Sequence, residues 1–127
     1  MNPVIAEDVA RAEIAEWAEY FETEMEEAHI KGLIQSVMRG RISLDQSSGS
    51  FLVALRTPIQ KESGDTIDTV IIKEPDTGQF QKAGKLNDEI AMASHLIAAV
   101  SELPIGIVAR IKQKDFVVLS GLLGFFG

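Results

Sequence analysis

The chain contains no cysteine, which excludes disulfide staples and any reaction that runs through a thiolate. That suits a reducing cytoplasm without requiring one. It also lacks a long hydrophobic run. The longest, Phe116–Phe126, extends over 11 residues, whereas a membrane-crossing helix needs roughly 20. No basic stretch precedes an apolar one near the N-terminus, so a secretory signal is not expected. Together these absences predict a soluble chain with no membrane partner. Positive charge is nearly missing from residues 1–28, which hold nine acids (Glu7, Asp8, Glu13, Glu16, Glu19, Glu22, Glu24, Glu26 and Glu27) and one base, Arg11. The other 99 residues hold 10 acids and 11 bases, so the net charge of −7 divides into −8 and +1. An acidic arm repels phosphate backbones, which speaks against nucleic acid as a partner. It suits a basic protein partner or a solvated helix face.

What is present is enough for one small domain with an appended helix: 127 residues, 46% of them apolar. Ile14, Trp17, Phe21, Met25 and Ala28 step by three and four, and Ile30, Ile34 and Val37 continue the stripe. This predicts one helix over 6–39, roughly 50 Å long at 1.5 Å per residue. Glu7–Arg11 and Glu27–Lys31 stand at supportive i,i+4 spacing. Gly32 implies a close contact or a bend inside the helix, and Gly40 suits its stop. Residues 43–50 are polar and aperiodic, reading as a linker between an acidic arm (1–42) and a body (51–127). In the body, Phe51, Val53 and Leu55 alternate with Leu52, Ala54 and Arg56, and a second β-run follows after Gly64, which predicts a hairpin. A helix begins near Asp88 with Asn87 as its cap. Pro104 opens a short helix over Ile105–Ile111, and Asp115 leads into a last helix, Phe116–Phe125. The predicted class is α+β: a long acidic N-terminal helix, a β-hairpin and a C-terminal cluster of three to four helices.

Few residues suggest catalysis. Glu26 and His29 form a Glu-x-x-His, the spacing that puts a carboxylate and an imidazole on one face of a di-iron helix. A second such motif is missing, since the other histidine, His95, has Met92 three residues before it. With Glu22 the set would be Glu22, Glu26 and His29, half of a ligand shell. His95 reads as a structural histidine in an apolar helix, and Ser94-His95 has no fixed acid to complete a triad. Gly78, Gly84 and Gly106 lack the spacing and the Lys-Ser/Thr ending of a phosphate loop. No enzyme, metal or cofactor is expected. Trp17, Tyr20 and Phe21 read equally as packing against the body or as an anchor for a protein partner. In the last helix Phe116, Val117, Val118, Leu119, Leu122, Leu123, Phe125 and Phe126 leave almost no polar face, so the helix needs cover on several sides. Either a partner supplies part of that cover or the helix is wholly a core element.

The most specific stretch is Val70-Ile71-Ile72-Lys73-Glu74-Pro75-Asp76-Thr77-Gly78-Gln79-Phe80-Gln81-Lys82-Ala83-Gly84. Three β-branched residues favour a strand. Pro75 ends it, because it cannot donate a ladder hydrogen bond and it biases Glu74 to an extended conformation. Asp76 or Thr77 can then cap a helix. This strand, Glu-Pro, turn and Gly-containing helix resembles the tail assembly chaperones of long-tailed bacteriophages, of the contractile-tailed and Mu-like prophage type. The order of the flanking elements over residues 51–127 is similar too: Phe51–Ile59 with Pro58, Ser63-Gly64-Asp65, Thr66–Glu74, Asn87–Leu103, Pro104, Asp115–Phe126. The resemblance implies a non-enzymatic protein of the host bacterial cytoplasm. It would bind the tape-measure protein and keep that long helical chain soluble until the tail tube protein polymerises around it. It also implies partner-binding roles for Phe116, Leu119, Leu122, Leu123, Phe125 and Phe126. Apart from the resemblance, the aromatic cluster of the acidic helix adds Trp17 and Phe21 as candidates, and the length of that helix predicts packing against another copy or a partner. The competing expectations are a structural tail subunit retained in the virion and a small metal-binding helical protein.

Overall fold

Helices and strands follow from local chemistry, and a computed structural model describes residues 5–126 of the chain. The first helix, α1 (Glu7–Tyr20), opens with Glu7 and Asp8 against the positive end of its dipole and buries Ala10, Ile14 and Trp17. It stops at Glu22, which adopts a left-handed φ of 55°. The Glu22 amide donates to Glu19 O (3.1 Å) and the Thr23 amide to Ala18 O (2.9 Å), the paired bonds of a Schellman ending. A second helix, α2 (Glu27–Met38), buries Leu33, Ile34 and Val37. It ends the same way on Gly40 (φ 70°), with Gly40 N–H to Val37 O and Arg41 N–H to Ser36 O.

The single helix expected over 6–39 is therefore two. No glycine or proline marks the break, and the glutamates around it are good helix formers. What the sequence pattern could not register is the packing gained when the chain folds back: the apolar faces of both helices enter one core. Arg11 clips the pair, reaching Glu7 at 3.1 Å and both carboxylate oxygens of Glu27 at 2.8 and 3.0 Å. Gly32 meets no close neighbour, so the contact expected there is absent.

Three strands form an antiparallel sheet in the order β1 (Ile42–Asp45), β2 (Ser50–Gln60), β3 (Thr66–Ile72). The stretch read as a linker thus holds a strand and a tight turn. Ile42 pairs with Val53 and Asp45 with Ser50. The Asp45 carboxylate accepts from the Ser47 amide (3.0 Å) and hydroxyl (2.6 Å), while Gly49 closes the turn at φ 68°. Four alternating residues are too few to stand out from such a polar neighbourhood. Phe51, Val53 and Leu55 face inward with Val70 and Ile72, and Leu52, Ala54 and Ile71 face out. Between Ala54 and Ile59 the β2–β3 register shifts. Pro58 sits in that bulge, where a missing amide does no harm.

The remaining helices close the inner face of the sheet. Asp76 caps α3 (Thr77–Gly84) through a reciprocal box with Gln79, at 2.8 and 2.9 Å. Asp88, not Asn87, caps α4 (Glu89–Ser101), accepting from the Ile90 amide at 3.1 Å. A short turn of helix, α5 (Ile105–Val108), follows Pro104. The last helix, α6 (Gln113–Leu123), runs into a 3₁₀ turn over Gly124–Phe126. The class is α+β as expected, and one core joins residues of α1 and α2 to those of the sheet, α4 and α6.

Candidate binding surface

Half of the apolar side chains assigned to an interface lie inside the molecule. Leu119 and Leu122 are 0% exposed and Phe125 is 1% exposed. Trp17 is buried and Phe21 half-buried, and both stack with the C-terminal turn: Trp17–Phe51 centroids stand 5.3 Å apart, Phe51–Phe125 5.2 Å and Phe21–Phe126 5.0 Å. The aromatic pairs meet at tilted or edge-on angles, the arrangement favoured by ring quadrupoles. The structure therefore joins the two ends of the chain in one aromatic cluster. The cover that α6 needs comes largely from α2 and β2, with α4 and β3 adding to it. Phe116, Leu123 and Phe126 are only partly covered.

One face of α6 stays open. Phe116, Val117, Ser120 and Gly121 form one wall of a groove of about 380 Å³, and Ala28, His29, Gly32 and Leu33 of α2 form the other, with Ile90 of α4 at the side. Val117 is 46% exposed and Ile90 65% exposed. Ile90, Ala93, Ile97 and Val100 recur at helical spacing in α4, but only Ile97 and Val100 of them are buried. The groove is narrow at its floor because Gly121 has no side chain: a Cβ there would lie 3.3 Å from Leu33 Cδ2.

The same two helices continue into a polar cleft of about 650 Å³. Gly32, Gln113 and Val117 border both spaces, so groove and cleft form one trough. Arg39, Arg41, Arg56 and Lys114 line the cleft, and Asp115 forms part of its wall. Asp115 is 6% exposed and already engaged: its two carboxylate oxygens accept from the Arg56 amide (2.8 Å) and the Thr57 amide (3.0 Å). Those amides fall in the irregular stretch of β2, where strand pairing is lost, so the carboxylate supplies acceptors that a neighbouring strand does not. Among the described residues the ion pairs are those of Arg11 with Glu7 and Glu27. The four cations of the cleft thus stand without a carboxylate partner.

Sequence reasoning missed the trough. Val117 looked like one more member of an apolar helix, and the cations come from three separate segments: the α2–β1 connection, β2 and α6. The metal set expected as an alternative does not assemble. Glu22 sits in the connection before α2, off the helix of His29, and among the described residues no three acid or histidine side chains converge. No helix of the described residues is long and apolar enough to cross a membrane.

Comparison with known proteins adds one finding. No curated protein and no solved structure matches this chain. The sequence profile described as "Phage tail assembly chaperone proteins, E, or 41 or 14" matches residues 52–127, from β2 through the C-terminal turn. That is more than half of the chain, and with an α+β fold in which those residues form most of the core, the chain belongs to the phage tail assembly chaperone family.

Proposed function

We propose that this chaperone acts by binding alone, in the host bacterial cytoplasm, and that its client is an apolar helical segment of the tape-measure protein laid in the groove between α2 and α6. Held there, the client would stay soluble until the tail tube protein polymerises around it. The observation that carries this reading is the open apolar groove beside Val117 and Ile90. A helix inserted between two helices reads its partner through apolar side chains at spacings of three and four. The burial pattern moves the contact away from Leu119, Leu122 and Phe125. Phe116, of the residues first assigned, lines the groove, and Val117 and Ile90 join it. Self-association belongs to the same proposal, through the outer face of the sheet where Leu52 and Ile71 pair side by side and are exposed.

Co-expression with the long helical protein encoded beside it tests the client. The intact chain is expected to keep that protein in the soluble fraction, and Val117→Asp with Ile90→Asp is expected to lose the effect while remaining folded. Rescue that survives the double substitution would remove the groove from the proposal. A structural tail subunit differs in its fate: the purified virion should lack this chain if it is a chaperone and contain it if it is a component.

A further inference from the structure

The apolar groove and the cationic cleft form one trough, and an apolar client alone would use only part of it. Along α2 the trough runs from Ala28 to Arg39, roughly 17 Å at 1.5 Å per residue, or about three turns of a docked helix. At its far end Arg39, Arg41, Arg56 and Lys114 converge with no carboxylate of the described residues in salt-bridge range. The one acid of the cleft wall, Asp115, is consumed by two backbone amides. Four like charges around one cleft repel each other. In a chain of net charge −7 they make a local field opposite to that of the whole molecule.

We propose that the trough selects its client by charge as well as by apolarity: the preferred segment is an amphipathic helix whose apolar stripe fills the groove and whose next turn carries carboxylates that meet Arg39, Arg56 and Lys114. This rests on the groove being the client site. Arginine forks take a carboxylate through two parallel hydrogen bonds. Such pairing fixes register and steers encounter more than it adds raw affinity. A holdase needs that. An apolar groove cannot distinguish one stretch of a long repetitive helix from the next, whereas an acidic turn at a set distance marks a place to bind. Nucleic acid fits the cleft less well. No aromatic side chain lines it for base stacking, and the acidic α1–α2 segment of the same molecule repels a phosphate chain.

The test uses the full chain and three stapled helical peptides, since short helices are marginal when free. They share one apolar stripe and end in a turn of Glu, Gln or Lys. At low salt the Glu peptide is expected to bind about tenfold more tightly than the Gln peptide, with the Lys peptide weakest, and the spread should narrow as salt rises. In the double variant Arg39→Glu, Arg56→Glu the order should reverse in favour of Lys. Both side chains are exposed, and circular dichroism would verify that the variant is folded. Equal binding of the three peptides, or a double variant that keeps the original order, overturns the proposal. So does tight binding of a single-stranded oligonucleotide that the same variant abolishes, which would assign the cleft to nucleic acid. Val117→Ser, which removes apolar contact without adding charge, separates the two levels. It should weaken all three peptides alike. If it leaves all three unchanged while the Glu preference persists, the groove reading fails, and with it the two-part trough.

Discussion

At the scale of single residues, burial divides side chains that look alike in sequence. Phe125 and Val117 belong to the same greasy C-terminal stretch, yet Phe125 is enclosed by Trp17, Phe21 and Phe51 while Val117 faces solvent. Phe125→Ala should therefore cost about 3–4 kcal/mol of unfolding free energy, the range for emptying a buried aromatic site. Val117→Asp, on the surface, should stay within about 0.5 kcal/mol of the parent. Urea denaturation measures both, and comparable losses would mean that the helix is rotated from the orientation described. Asp115 makes the complementary case for a polar residue. Its carboxylate holds the Arg56 and Thr57 amides at 2.8 and 3.0 Å. Asp115→Asn keeps the shape but sets an NH₂ against one of those N–H groups, at an expected cost of about 2 kcal/mol for a buried donor left unsatisfied. Unchanged stability would show that water, not Asp115, satisfies the bulge.

At the scale of elements, the α1–α2 pair shows how a helical hairpin can be clipped by exposed charge and how little of that is visible in sequence. Hydrogen bonds from Arg11 hold the Glu27 carboxyl below its ordinary value, and Lys31 adds a weaker pull in the same direction. A carboxyl depressed in the folded state stabilises that state above its unfolded pKa, and the contribution is lost as pH falls through the folded pKa. The stability difference between the parent and Arg11→Met should hold from neutral pH down to the ordinary glutamate range and shrink toward zero below it. Denaturation midpoints of both proteins across that acid range provide the check, and a difference independent of pH would exclude the pair. The sequence identified Glu7–Arg11 by its spacing, whereas Glu27 lies 16 residues from Arg11 and became a neighbour only when the chain turned at Glu22. That turn illustrates a wider limit. Elements bounded by Gly40, Pro75, Asp76 or Pro104 were legible because each of those residues favours a boundary by its own local chemistry: glycine tolerates a left-handed stop, aspartate caps and proline withholds an amide. Glu22 and Glu102 take left-handed φ values of 55° and 57° against their own preference, so tertiary packing imposes those endings. The trough was illegible for the same reason: its walls are assembled from helices whose adjacency no local pattern encodes.

At the scale of the whole molecule, the sequence drew an acidic arm on a separate body, and the structure places the arm's apolar side chains in the body's core. Trp17, Leu33, Ile34 and Val37 pack in the same cluster as Phe51, Val70, Ile97 and Leu122. Acidity and burial are therefore two faces of the same helices: Glu7, Glu16 and Glu19 of α1 point to solvent while Ala10, Ile14 and Trp17 point inward. Cooperativity is the physical consequence. If α1 stood apart, it would melt before the rest, because an isolated helix of this length is marginal in water. Trp17 is the only tryptophan of the chain, and its ring lies against Phe51 of β2 and Phe125 of the C-terminal turn. Its fluorescence therefore reports the junction of the two segments, while far-UV circular dichroism reports all the helices. The two signals are expected to follow one coincident transition in urea, as a single cooperative unit requires. A tryptophan transition at lower denaturant would instead mean that the acidic helices release the body before it unfolds. That outcome would uncover the α2 wall of the groove and leave α6 exposed on the side now closed by its own chain.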